Sequence, residues 1–481
     1  MTRGQRFTLV AAILGSSVAA IDGTIVNVAL PAIQRDLGGG LQAQQWISNA
    51  YLLTLGSLIL IGGSLGDIYG RRRVFELGVG GFGLLSLACA AAPNVDTLIA
   101  ARAAQGVAGA LLTPSSLAII AAAFSERERG AAIGSWTAWG GIAVIAGPLA
   151  GGLIVDHASW RWIFAINVPL VLVTLVLVRA AMADAPTVAR RVDVLGAGLC
   201  ALGLAGFVFG LIEQPRFGWG SPAIIVSLLV GLAAFASFVV YEKRAAHPML
   251  RLDLFARRNF SIANLQTLTM YAGLSVLFFF LFIFLQQVAG YSALRAGLTT
   301  IPSTLIMFAL SRRFGALADR FGPRFFLSAG PLTAAAGVLL FLRVGMGTSY
   351  LTELLPALVV FSLGLAMTVA PLTATVLADA DESDAGIASA INNAIARVAG
   401  LIGISAIGAV VATRLTGGTF APNQASVDAF HVAIVICAVL VAGGGAVAAV
   451  GIENPRRKVK AAECPGGQLA GCPRPAALAR S

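Results

Sequence analysis

Asp22 and Arg102 are ionisable side chains set deep inside long apolar runs, Leu9 to Leu30 and Leu98 to Phe124. A charge near the middle of hydrocarbon costs about 3 kcal/mol or more unless it is paired, so each needs a reason to be there. At 1.5 Å per residue Asp22 is expected roughly 20 Å into its run, and Arg102, entering from the other side, at a similar depth. A carboxylate beside an arginine ionises, and one whose burial dominates takes up a proton; such a group exchanges protons as access alternates between two sides. The alternative is a fixed structural ion pair. Arg397, which follows Asn392 and Asn393 in a later apolar run, is a third candidate, with a structural role as its alternative.

These residues are positioned by a chain that is mostly apolar. Charged residues make up 11% and hydrophobic residues 58%, where soluble domains carry about a quarter charged residues. A net charge of +11 in such a chain points to basic inner loops rather than to nucleic acid. Runs of about twenty apolar residues number fourteen. The sixth, Ile163 to Val178, and the tenth, Leu298 to Ala318, are each expected as one helix. The first is interrupted by Asp22 and lacks a small-residue cleavage site, so it is expected to stay as a spanning helix. About 25 Lys and Arg fall on the side of the N-terminus and about six on the other, which predicts both termini in the cytoplasm. The acidic loop holding Asp379, Asp381, Glu382 and Asp384 would lie there too. The expected organisation is a six-helix bundle over 1–179, a linker with two additional spanning helices over 180–261, a second six-helix bundle over 262–451, and a disordered cytoplasmic tail over 452–481. Cys464 and Cys472 in that tail form no metal or disulfide framework by spacing.

One short signature occurs twice: Gly63, Asp67, Gly70, Arg71, Arg72 and Arg73 in the first copy, then Gly315, Asp319, Gly322 and Arg324 in the second. The aspartates lie 252 positions apart, and each copy falls between two apolar runs. A repeated loop implies two repeated half-bundles, the arrangement that rocks about a midplane site in alternating access. The fifth run has the other unusual pattern, Gly134, Gly140 and Gly141 followed by Gly147, Pro148, Gly151 and Gly152. Glycines permit close backbone approach and proline removes a hydrogen bond, so this helix reads as a packed pivot.

At these residues the chain resembles the fourteen-helix drug:proton antiporters (EmrB/QacA-like) of the major facilitator superfamily, over nearly all of its length to about Gly451. Gly63 to Arg73 is similar to the loop signature that forms a cytoplasmic gate latch; Asp67 is expected to cap the next helix or to pair with Arg127 or Arg129. Arg102 to Gly109, with Gln105, is similar to the signature whose arginine takes part in proton coupling. Gly147 to Gly152 resembles the antiporter signature of exporters, with Ala143 where glycine is usual. Asp22 to Pro31, and Trp160 to Pro169 with Asn167, resemble the motifs of the first and sixth helices. Ser311-Arg312-Arg313 before the second loop is unusually basic.

The resemblance implies a major facilitator fold and proton-coupled export of small lipophilic or cationic compounds across the cytoplasmic membrane, as in drug or antibiotic efflux. An importer or symporter, and a narrow metabolite exporter, are the alternatives. The substrate cavity is expected among the first, fourth, fifth, ninth and tenth spans, with Asn27, Gln105, Gln266, Tyr271, Gln286, Asn393 and Arg397 as polar points near Phe279. Enzyme chemistry is not expected: His157, His247 and His431 have no ligand spacing and no nucleophile sits beside a base. No phosphate-cradling motif is present, so protons rather than ATP are the expected energy source. A monomer without cofactor, metal or nucleic acid, in contact with the lipid bilayer, completes the expectation.

Overall fold

A computed structural model describes residues 1–181, 192–246, 248–378 and 385–454. The acidic loop from Asp379 to Asp384, most of the first linker, His247 and the tail cysteines lie outside the described residues. Every regular element among the described residues is helical. The helices are α1 (Arg3–Leu37), α2 (Leu41–Tyr69), α3 (Arg71–Ala90), α4 (Val95–Ala123), α5 (Glu126–His157), α6 (Trp162–Ala165), α7 (Asn167–Ala181) and α8 (Val194–Phe217). They continue with α9 (Pro222–Glu242), α10 (Arg258–Gln287), α11 (Ala293–Leu298), α12 (Ile301–Phe321), α13 (Pro323–Leu340), α14 (Leu355–Ala378), α15 (Ala385–Ala412) and α16 (Gln424–Gly451).

Fourteen stretches are long and apolar enough to cross a membrane. The sixth and tenth are each broken, contrary to the single helices expected. Pro169 has no N–H to offer the carbonyl of Ala165, and Pro302 none for Leu298, so a short helix ends at each of those carbonyls and the main helix restarts just ahead of the proline, at Asn167 and at Ile301. Helices also run past their apolar runs. α1 begins at Arg3 because Thr2 and Gln5 close a reciprocal capping box, and it ends where Gly38 turns to φ 80°.

The repeated signature is repeated in the backbone. Gly70 (φ 96°, ψ 126°) and Gly322 (φ 91°, ψ 148°) both occupy a region costly to residues with a Cβ, and each ends one helix while opening the next. Both loops lie at the end of the bundle that carries Arg3 and Gly451: Arg71 bonds Ala118 O near the end of α4, Gln5 bonds Ala123 O, and Arg324 bonds Ala449 O.

α1 to α7 pack chiefly with one another, as do α10 and α12 to α16, while α11 lies mainly against α5 of the first set. α8 and α9 pair closely, and α8 leans on α2 and α15, where Trp46 donates to Glu213 at 2.8 Å. Polar bonds between the two large sets gather at the end away from the termini. Gln45 donates to Ile404 O (2.8 Å), Asn49 to Ser405 Oγ (2.9 Å), Gln286 to Val28 O (2.9 Å) and Gln287 to Gln34 Oε1 (2.6 Å). The terminal-bearing end is built differently. There the first half of α5 has open space around Gly130, Gly134, Gly140 and Gly141, and Trp139 is exposed. The interior therefore opens toward the signature loops.

Candidate functional site

Asp22 and Arg102 meet. Arg102 Nη1 lies 2.5 Å from Asp22 Oδ2 and 2.6 Å from Gln105 Oε1. Gln105 Nε2 reaches Asp22 Oδ1 at 3.1 Å and Ser86 Oγ at 2.8 Å, and Asn167 Nδ2 donates to both of those oxygens at 3.3 Å. Four helices thus contribute: α1, α3, α4 and α7. Arg102 also donates Nε to Ile47 O and lies 4.3 Å above the Tyr51 ring, and Phe164 approaches from another side. Asp22, Gln105, Ser86 and Asn167 are buried completely. With three donors converging on one carboxylate, both charges are compensated where a lone one would cost several kcal/mol.

Arg102 forms part of the wall of a cavity of about 310 Å³, and Asp22 sits behind it. The walls come from α1, α2, α4, α5, α10, α12 and α15, so α2 and α15 join the spans expected from sequence. Phe278 and Phe282 stack with centroids 6.4 Å apart on one side. Asn27, Tyr271 and Arg397 line this space; the other expected polar points do not. Gln105 belongs to the Asp22 network. Gln266 is buried and donates to Leu327 O of α13 at 2.7 Å, and Gln286 is spent on Val28 O at the closed end. Asn393 is exposed and bonds Ser389 O of its own helix, whereas Asn392 ties α15 to Asn264 and Thr267 of α10. Phe279 is buried against Phe280. A side-chain amide in an apolar bundle takes the nearest available partner, which spacing along one helix does not reveal.

The glycines of α5 divide into two groups. A Cβ on Gly147 would lie 2.1 Å from Thr24 Oγ1, and one on Gly151 2.6 Å from Ile25 Cγ1, so both seat α5 on α1. One on Gly152 would lie 2.5 Å from Leu294 Cα, across the seam between the sets. Pro148 lines the cavity, and its carbonyl abuts Gly297.

At the first signature Asp67 accepts from Arg71 Nε (3.1 Å) and Nη2 (3.0 Å), not from Arg129; the side chain of Arg127 is outside the description. Arg72 pairs with Glu76 at 3.0 Å. The second copy has Pro323 where the first has Arg71, so that pairing is lost: Asp319 is exposed, and Arg324 turns instead to Ala449 O and Asn454. Gly63 lies 3.6 Å from Pro114 by its missing Cβ. Arg312 and Arg313 are exposed on α12.

The family model of the Major Facilitator Superfamily matches residues 12–404, well over half of the chain. This chain belongs to the major facilitator superfamily. Puromycin resistance protein pur8 of Streptomyces alboniger is 37% identical over 422 residues, covering 86% of this chain and 82% of its own. Tetracenomycin C resistance and export protein of Streptomyces glaucescens is 35% identical over 415 residues, 85% of this chain and 76% of that one. Multidrug resistance protein Stp of Mycobacterium tuberculosis (strain CDC 1551 / Oshkosh) is 35% identical over 418 residues, 86% and 78%. A solved bacterial homologue of the human lysosomal transporter Spinster superposes with a TM-score of 0.69 over 94% of this chain and 97% of that one, at 16% identity, a likeness of fold. As a major facilitator protein the chain is a multi-pass membrane transporter rather than an enzyme.

Sequence reasoning missed Ser86 as a bridge, and it had Asn167 only as part of a motif. Serine is common in membrane helices, so nothing in its spacing sets Ser86 apart.

Proposed function

We propose that this transporter exports small lipophilic compounds in exchange for protons, by alternating access of the central cavity. The observation that carries the reading is the buried Asp22 and Arg102 pair, with Arg102 in the cavity wall and Asp22 behind it, and no carboxylate among the described residues lining that space. Arg102 compensates the charge of the Asp22 carboxylate, so proton uptake there goes with Arg102 swinging away, and Arg102 faces the space that substrate occupies. Occupancy of the cavity and protonation of Asp22 are then alternatives, which is the requirement of antiport.

The two large helix sets are the rocking units, and α5, seated on α1 by Gly147 and Gly151 and meeting Leu294 across the seam at Gly152, is part of the pivot. With the termini in the cytoplasm, as the basic loops suggest, the arrangement is open inward and ready to load cargo. Relatives whose names concern resistance and export support the direction of transport. Two are named for one compound each, puromycin and tetracenomycin C, which favours a second reading in which the range of cargo is narrow.

Purified protein in proteoliposomes under an imposed pH gradient tests the proposal. A panel of lipophilic antibiotics and dyes is expected to include compounds that accumulate with the gradient and release protons on addition. Accumulation indifferent to the gradient, or movement in the same direction as protons, overturns antiport.

A further inference from the structure

Arg397 carries a charge that nothing described neutralises. It lines the cavity from α15, its charge is felt at Tyr51 and Tyr271, and among the described residues it makes neither an ion pair nor a hydrogen bond. Arg102, the other cation of the lining, is already matched by Asp22 at 2.5 Å. Among the described residues no aspartate or glutamate lines the cavity. The space into which cargo must fit is therefore cationic by one charge.

Its hydrogen-bonding groups agree with the charge. Ser48 and Ser303 both line the cavity, and the hydroxyl oxygen of each is buried without a partner. Hydroxyls can donate to an acceptor-rich ligand, as can the phenols of Tyr51 and Tyr271. The remaining wall holds the Phe278 and Phe282 rings, which suit a flat aromatic body. A cationic ligand would bring like charge against Arg397 in a low-dielectric setting, whereas an anion would compensate a guanidinium otherwise left alone.

Resting on the exporter reading, we infer that the cargo is an aromatic organic acid, a carboxylate or phenolate whose negative group sits on Arg397 while its rings lie on Phe278 and Phe282. This departs from the cationic compounds that the sequence resemblance brings into view. Arginine suits the task because its planar fork holds a carboxylate by two parallel bonds and stays charged at any working pH.

Two dyes with one xanthene core and opposite charge provide the test: fluorescein, an anion, and rhodamine 6G, a cation. Fluorescence polarisation with the purified full chain measures binding, and uptake into proteoliposomes under a pH gradient measures transport. Fluorescein is expected to bind at least tenfold more tightly than rhodamine 6G. Arg397→Gln is expected to remove at least tenfold of the fluorescein affinity while leaving rhodamine 6G unchanged or tighter, and Arg397→Lys to restore most of the anion preference. Equal binding of the two dyes, preference for rhodamine 6G, or fluorescein binding unaltered by Arg397→Gln overturns the inference. The exporter reading fails separately: fluorescein bound through Arg397 yet never moved by the gradient supports the binding site and sinks antiport. Should Arg397→Gln fail to fold, Tyr271→Phe and Ser303→Ala keep the test open, since each removes one donor facing the same anion and each is expected to weaken fluorescein alone.

Discussion

Asp156, near the end of α5, accepts the backbone N–H of Leu294 at 2.9 Å, and that of Ala293 at 3.0 Å, across the seam between the two large helix sets. These are free donors at the opening of α11, where a carboxylate is well placed to receive them. Loss of such a cap costs about 0.5–2 kcal/mol, and here the loss falls only on the arrangement closed at this end. Asp156→Ala is therefore expected to shift the population toward opening there by roughly 2- to 30-fold, since about 1.4 kcal/mol is a factor of ten. Distance measurements between spin labels across that mouth check it, and an unchanged distribution excludes Asp156 as a clasp.

Asp22→Asn keeps the shape and can still accept from Gln105 and Asn167, but it cannot take up a proton. Uphill, gradient-driven transport is expected to disappear while downhill exchange of substrate persists. Arg102→Ala is expected to be worse for stability, because removing one partner of a buried pair strands the other at a cost of about 3–5 kcal/mol. Thermal unfolding of the detergent-purified variants, read beside transport, separates the two effects. Undiminished accumulation by Asp22→Asn under a pH gradient refutes the coupling role.

The number of spanning helices was legible because hydrocarbon imposes one length and one composition on each. The repeat of Asp67 and Asp319 was legible for a related reason: glycine at 70 and 322 is required by positive φ, and such a requirement persists in both halves. Less could be read inside the bundle. Which way a glutamine points depends on the neighbour across the gap, so Gln105, Gln266 and Gln286 all read as cavity residues although only the partners Asp22, Leu327 and Val28 decide their places. The breaks just ahead of Pro169 and Pro302 were visible as prolines but not as breaks, because a proline such as Pro31 also lies inside an unbroken α1.

The α5 glycines allow an internal control. Gly147→Val and Gly151→Val drive a side chain into Thr24 and Ile25 of α1, where overpacking costs about 1–3 kcal/mol, and transport is expected to fall steeply. At Gly141, in the same helix, an added Cβ meets no neighbouring element within 4 Å, so Gly141→Val enters open space there. It is expected to be tolerated in the open arrangement. Turnover measured at matched protein levels decides between a packed pivot and ordinary membrane-helix glycine: equal loss at 141 and 147 removes any special role for the α1 contact.

The signature loops make a prediction from their inequality. Asp67 has Arg71 four residues on, and Arg71 continues to Ala118 O of α4, so the first loop is tied down; the second has Pro323 at that position and an exposed Asp319. The Asp67 and Arg71 side chains are themselves a third or more exposed, so the pair is worth no more than about 0–1 kcal/mol to stability. A bundle poised between two arrangements responds to a shift that small. Asp67→Asn is expected to lower turnover several-fold with little change in melting temperature or in the affinity of the open cavity for cargo, whereas Asp319→Asn, which breaks no pairing in this arrangement, is expected to act only if Asp319 engages a partner after closure. Labelled cysteines across the terminal-bearing mouth report the open fraction directly. If neither substitution changes that fraction or the turnover, the acids serve only as local helix-end groups and the closing of this mouth is governed elsewhere.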